Sequence, residues 1–346
     1  MTLIYFILVL GITVLIHELG HFIFAKRAGV YVYEFSIGMG PRLFKFKRKN
    51  DETEYSIRLF PIGGFVSMAG EDIEVDKNVP DEKQMYNKTW LQRFLIVIAG
   101  VMFNFILAII LLFIVALNTG APTNKNYISE TTGGFPISET NIQSGDKILK
   151  VNGKKVRNQD MLMLELTVHN GKTIKLTVEH KDKKVEVIKV KPKKVKVDGE
   201  TTYKYGIVLE QKVQKGIISS LKYAFTKTFD LIEQMVKIIF YLITGTLSLD
   251  SLSGPVGIYN VVGESAKAGL ISIIYLIAYL CINVGFINLI PIPAFDGGRA
   301  LFLIIEKIRK KKVNPKIENT IHAIGLVLLM LLMIVITFND IVRLFK

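Results

Sequence analysis

Four apolar runs, residues 3–25, 94–117, 270–290 and 321–338, constrain this chain more than any other feature. Each is long enough and poor enough in charge to cross a bilayer. A segment surrounded by lipid has no water to satisfy its backbone, so each run is expected to be helical. The first has no basic stretch ahead of it, and Lys26 and Arg27 follow it, so it reads as a retained span rather than a cleaved secretory signal. Half of the 346 residues are apolar, which fits a membrane protein carrying a soluble insert. The formal charge of +14 comes from lysines spread through loops and the insert rather than from a basic helix interleaved with aromatics, so no nucleic-acid partner is expected. Cys281, the sole cysteine, rules out an intrachain disulfide.

Lysine and arginine set the expected orientation. Lys26, Arg27, Arg42, Lys45 and Lys47 follow the first run, and Arg299, Lys307, Arg309 and Lys310 follow the third, so both of these loops are expected to be cytoplasmic. The segment between the second and third runs then faces outward. It divides into residues 118–215, polar and rich in β-branched residues, and residues 216–269. The flanking parts, 1–117 and 270–346, hold two spans each. "SGDKILKVNGKKV" contains an Asn152-Gly153 hairpin signal, and "GKTIKLTVEH" and "KKVEVIKVKPKKVKV" alternate as half-buried strands do. His169 and His180 fall in the predicted strands of this part and are not expected to be metal ligands. Residues 216–247 are apolar but interrupted by Lys222, Lys227, Asp230, Glu233 and Lys237, the pattern of an amphipathic helix lying at a membrane interface.

Three ionisable residues interrupt the first span: His17, Glu18 and His21 in "VLIHELGHFIF". Such groups are costly at membrane depth and are usually functional. On a helix the two histidines, i and i+4, project from one face and can share a metal ion, with Glu18 beside them to act on an attacking water. This is the H-E-x-x-H pattern of zinc hydrolases. Catalytic zinc generally takes three protein ligands and keeps one position open, so another ligand is needed. "NLIPIPAFDGGRA" offers Asp296, just past two prolines that end the third span and ahead of two glycines that permit a tight turn. With four crossings, the first and third spans end on the same side and the ligands can meet. A fifth crossing at 216–247 would hold Asp296 about 30 Å away. Asn288, near the end of the third span, reads equally as an interhelical hydrogen-bonding amide or as one that holds substrate backbone, and the Gly63-Gly64 pair in "RLFPIGGFVSMAG" equally as an ordinary cytoplasmic hairpin or as a substrate-binding edge. "GVMFN" in the second span places Gly100 and Asn104 on one face, a pattern for close helix packing.

"HELGH", "GVMFN", "SGPVGI" and "NLIPIPAFDGG", in this order over almost the whole chain, resemble the bacterial site-two protease family of zinc intramembrane metalloproteases. The resemblance implies zinc on His17, His21 and Asp296, with Glu18 as catalytic base. It also implies a membrane-associated β element around Gly63 and Gly64, and a single PDZ domain in the insert, to which "GGFPISETNIQSGDKILKVNG" and the closing strand "YKYGIV" are similar. The family's usual Leu before the metal-binding Asp is Phe295 here. The expected fold is therefore a polytopic α-helical membrane protein of four spans, with a membrane-associated β element and a mixed α/β PDZ-like extracytoplasmic domain. The expected function is regulated intramembrane proteolysis of membrane-anchored proteins in the bacterial inner membrane, with anti-sigma factors or signal-peptide remnants as candidate substrates. A peptide ligand of the PDZ-like domain is a possible further partner. The competing reading is a non-catalytic membrane receptor or scaffold, for which a retained Glu18 would have no use.

Overall fold

The computed structural model describes residues 1–71, 77–197, 200–248, 252 and 254–344. Among these the chain forms eight α-helices: α1 (Thr2–Arg27), α2 (Trp90–Thr119), α3 (Gln159–Val168), α4 (Ile217–Ile243), α5 (Pro255–Lys267), α6 (Leu270–Leu289), α7 (Asp296–Arg309) and α8 (Pro315–Leu344). Helices α1, α2, α6 and residues Lys316–Val342 of α8 are long and apolar enough to cross a membrane. The last extends beyond the apolar run that announces it because Pro315 starts the helix and the Asn314 side chain accepts a hydrogen bond from the Lys316 N–H (2.9 Å), which caps its first turn. Residues 254–258 of the "SGPVGI" stretch lead into and open α5, while its Ser253 lies outside the described residues. Tertiary contacts divide the chain into two units, residues 1–115 with 249–346, and residues 116–248.

In the first unit α1 and α2 meet backbone to backbone. A Cβ on Gly20 would lie 2.5 Å from the Ala99 carbonyl oxygen, so only glycine permits this approach. After α1 come β1 (Val32–Lys47) and β2 (Glu54–Met68), two long strands with repeated register shifts. Residues 42–47 of β1 pair with 54–58 of β2, while residues 32–37 pair with 64–68 and also lie against 54–57. Residues 64–68 therefore form an outer segment with no second strand partner among the described residues. Buried Glu34 takes ion pairs from Arg42 (2.6 Å) and Arg58 (2.8 Å) across the hairpin. Burial opposes its ionisation, but hydrogen bonds from Ser56 and Arg58 outweigh that and hold the carboxyl below its ordinary range. The strands turn Phe35, Val66 and Met68 onto Ala25, Ile96 and Val97 of α1 and α2, and Ala300 and Leu303 of α7 complete this core.

The second unit contains β3 (Ala121–Pro122), β4 (Ile128–Thr131), β5 (Lys147–Val151), β6 (Lys154–Lys155), β7 (Ile174–Glu179), β8 (Val185–Val190), β9 (Lys193–Val197), β10 (Glu200–Lys204), β11 (Ile207–Leu209) and β12 (Val213–Gln214). Strands β6-β5-β7-β8 make an antiparallel sheet, and β9 with β10, β4 with β11, and β3 with β12 make two-stranded pairs. The Asn152-Gly153 turn joins β5 to β6 with both residues at positive φ, 49° and 80°, as a type I′ hairpin requires. Alternation in β7 carries Ile174, Leu176 and Val178 inward, a register shift between Ile148 and Lys150 lets both Ile148 and Val151 of β5 join them, and Met161 and Leu162 of α3 close this core. The expectation that both outer histidines lie in strands is corrected here. His169 ends α3, because the Asn158 side chain caps the Met161 N–H (2.9 Å) and starts a helix in "NQDMLMLELTVHN", and His180 follows β7 in a turn where Lys183 takes φ 70°.

Helix α4 packs along α3 within this second unit. Its Lys227 pairs with Asp160 (2.7 Å), and the Tyr241 hydroxyl donates to Glu165. Ile218, Leu221, Phe225, Phe229, Val236 and Phe240 remain exposed on other positions of α4. Two of the charges that interrupt the apolar run, Lys227 and Glu233, thus pair with Asp160 and Arg157 of the insert, and the helix keeps an uncovered apolar surface.

Candidate metal centre

Helix α1 projects His17 and His21 from one face because four residues make little more than one turn. Both rings are buried against α2. Gly100 makes room for them: a Cβ there would run into the His21 Nε2, and would lie 2.8 Å from the His17 Cε1. Pro291 and Pro293 end α6 and start a loop in which Ala294 takes φ 87°, and α7 begins at Asp296. This loop delivers Asp296 to the histidines. Its Oδ2 lies 3.0 Å from His17 Nε2 and 3.4 Å from His21 Nε2, and the two Nε2 atoms are 3.3 Å apart. Among the described residues this is the one cluster of three such side chains with its ligand atoms within 4.8 Å of one another.

The tautomers follow from the opposite ring nitrogens. His21 Nδ1–H donates to the Ile96 carbonyl (2.8 Å), which leaves the lone pair on Nε2. For His17 the neighbour is the buried Asn104 amide, whose nitrogen lies 3.3 Å from Nδ1 while its Oδ1 has no partner. The reverse amide orientation gives Oδ1 the Nδ1–H of His17 and satisfies both groups, and it again leaves Nε2 as an acceptor. Asp296 Oδ2 is itself buried without a hydrogen-bond donor. Three lone-pair atoms therefore converge where no proton donor reaches them, and a cation is what satisfies such a set. The donors, two imidazoles and a carboxylate, suit zinc.

These side chains line a cavity of about 230 Å³ together with Glu18, Phe65 and Arg299. Glu18 is half-buried one residue after His17. The outer segment of β2 passes beside it: a Cβ on Gly64 would be 2.8 Å from the Ser36 carbonyl and 3.4 Å from Glu18 Cγ. Gly63, at φ 94°, turns the chain into this segment against Met39. Asn288 sits in the last turn of α6, half-buried and outside the residues lining the cavity. Arg299 pairs with Glu71 at the cavity wall. Sequence reasoning gave Gly100 and Asn104 a packing role, whereas the structure sets both against the histidines. Their signal was present in the small and amide residues at i and i+4 of an otherwise apolar span.

The model of peptidase family M50 matches residues 5–332. The chain is 35% identical over 421 aligned positions to a zinc metalloprotease RasP of Bacillus licheniformis, covering 99% of both chains. It is 34% identical over 422 positions to the regulator of sigma-W protease RasP of Bacillus subtilis, again with 99% of each chain covered. These alignments are longer than the 346 residues here, so the relatives hold segments with no counterpart in this chain. A solved PDZ domain of an SdrC-like protein from Listeria monocytogenes overlaps 25% of this chain and 87% of its own length, at 21% identity and a TM-score of 0.21.

Proposed function

The chain belongs to peptidase family M50, and from that premise we propose that His17, His21 and Asp296 hold the zinc of an intramembrane endopeptidase and that Glu18 is its general base. The protein is a zinc-dependent metalloprotease of the membrane. The observation that carries the assignment of its site is the convergence of two imidazole Nε2 atoms and one carboxylate oxygen with no donor among them. Zinc, when bound, lowers the pKa of a coordinated water to about 7 and polarises the scissile carbonyl. Glu18, lining the same cavity, takes the proton of the attacking water and passes it to the leaving amine. The receptor or scaffold reading gives this carboxylate nothing to do.

The substrate of this reading is a transmembrane helix, which must unwind before its peptide bonds can be attacked. The outer segment of β2 supports a way of holding it: its unpaired edge runs beside Glu18, and an unwound substrate strand can add to it through backbone hydrogen bonds. Gly63 and Gly64 let the strand pass close to the base, and Asn288 contributes a further amide near the end of α6. Exposed Leu43, Phe44, Phe46, Leu59 and Phe60 support contact of the hairpin with the bilayer. Membrane-anchored anti-sigma factors or signal-peptide remnants are the substrate classes we favour, the former in line with the sigma-W regulator name of the Bacillus subtilis relative.

In our reading the site opens toward the cytoplasm, as the lysines and arginines beside the hairpin and on α7 support, and the insert is extracytoplasmic. The insert is PDZ-like in its order of short strands and one capped helix, and it either takes a peptide by strand addition or excludes bulky substrates. Helix α4 lies at the membrane interface, a placement favoured by its uncovered apolar surface. Metal content and cleavage of a transmembrane substrate, measured together on detergent-purified protein, test the site. Wild type should hold about one zinc per chain, the stoichiometry of a site with one open position. His21→Ala should lose zinc and cleavage together, and Glu18→Gln should keep zinc while cleavage falls by a factor of about 10²–10⁴. Normal turnover by Glu18→Gln would remove it as the base.

A further inference from the structure

His322 is the one histidine of the first unit outside the proposed ligand set. It lies on α8, in sequence far from every residue of the site. Its Nδ1 accepts a hydrogen bond from the Ala294 N–H at 3.1 Å. Ala294 is two residues before Asp296 and holds φ 87°, a region that L-residues seldom occupy without external support. One turn further along α8, a Cβ on Gly325 would lie 2.6 Å from both the carbonyl oxygen and the Cβ of Pro293. On the other flank, a Cβ on Gly298 of α7 would lie 2.5 Å from the Ile292 carbonyl oxygen and 3.2 Å from His322 Cε1. The loop that carries Asp296 is thus gripped between the start of α7 and the His322 and Gly325 positions of α8.

Elsewhere α8 holds on to little. Its apolar stretch leaves Leu326, Val327, Leu328, Leu331 and Ile334 exposed, as lipid-facing residues are. A second polar anchor lies near its far end, where Asp340 accepts from the Gly257 N–H at 3.0 Å. An imidazole in a spanning helix is costly unless its polar atoms are used. Among the described residues His322 Nε2 finds no hydrogen-bond partner, so Nδ1 makes the ring's hydrogen bond. A leucine would fill similar space without it.

We propose that His322 is a positioning residue for the metal centre: its Nδ1 lone pair holds the Ala294 N–H in the strained turn and so fixes where the Asp296 carboxylate points. This rests on the ligand set proposed above. The Nδ1 lone pair requires the neutral ring with its proton on Nε2, the tautomer opposite to that of His17 and His21. The fourth span then serves the site without touching it, by presenting one acceptor to one backbone donor.

The test uses the full chain in detergent, loaded with zinc, and follows zinc loss to a chelator together with the visible spectrum of the Co²⁺-substituted protein. His322→Leu should release zinc roughly 10- to 100-fold faster, the usual penalty for losing an outer hydrogen bond of a metal site, and should shift the Co²⁺ bands. His322→Asn places a side-chain oxygen near the Nδ1 position and should restore slow release. His322→Gln reaches the Nε2 position instead and should not. Should His322→Leu fail to accumulate, the Asn and Gln variants carry the comparison, and equal release rates for the two would overturn the proposal. A wild type that holds no zinc overturns the ligand set and this inference with it. A wild type that holds zinc, with a Leu variant that loses it no faster, overturns the inference alone.

Discussion

Asn104 has the most specific task among residues outside the proposed ligand set. It is fully buried in α2, and its amide oxygen is the acceptor available to the His17 Nδ1–H. Asn104→Ala should leave that N–H unpaired and free the ring to rotate, so that zinc is lost to a chelator about 10- to 100-fold faster. Asn104→Asp keeps an acceptor and should hold zinc near the wild-type rate. Equal loss from both variants would return Asn104 to a packing role. The histidines and Glu18 were legible as candidates in the sequence because ionisable groups stand out inside an apolar run, and Asp296 because it follows the prolines that end another. Asn104 was visible too, but an amide in a span pairs with another helix as readily as with a ligand, and only its 3.3 Å approach to His17 distinguishes the two.

Helix boundaries followed from apolar length and from prolines, which is why α6 stops at Leu289 ahead of Pro291. The path of β2 did not, because its register shifts come from pairing on both sides rather than from alternation. Its outer segment lies against α1 at Gly64, so Gly64→Ala should push the strand away from Ser36 and Glu18. Cleavage should fall roughly 10- to 100-fold through misplaced substrate, with zinc content unchanged. Loss of zinc from this variant would show a wider collapse and sink the edge-binding idea. In the insert, His180 joins two turns by donating from Nδ1 to Asp146 (2.8 Å), with Glu186 3.4 Å from Nε2. The hydrogen bond to Asp146 raises the His180 pKa above 6.5, against a smaller opposing effect of burial. A raised histidine contributes its full stabilisation below the ordinary value and loses it as pH climbs through the raised one. Hydrogen exchange in the turns at residues 143–147 and 180–184, corrected for intrinsic rate, should therefore show protection falling on the alkaline side of pH 6.5. Asp146→Asn should flatten that profile.

At the scale of the whole molecule, the proposed orientation can be read with introduced cysteines, because the one native thiol, Cys281, is buried in α6. A membrane-impermeant maleimide should label Met163→Cys, an exposed site in the insert, in intact cells. Lys47→Cys, an exposed site at the end of β1, should react only after permeabilisation. The reverse pattern would invert the assigned sides. His17 and Asp296 come from opposite ends of the chain yet share one contact unit, and the whole insert lies between them in sequence. The apolar runs, the two-histidine face and the strand-rich insert are readable from local sequence, because lipid and helical or strand periodicity act over a few neighbouring residues. The closing of Asp296 on both Nε2 atoms, the tautomers set by Asn104 and Ile96, and the hold of His322 on the Ala294 turn emerge from the packed fold alone. Each of these is a contact between residues tens to hundreds of positions apart, fixed by how helices pack, and no local pattern encodes a distance of that kind.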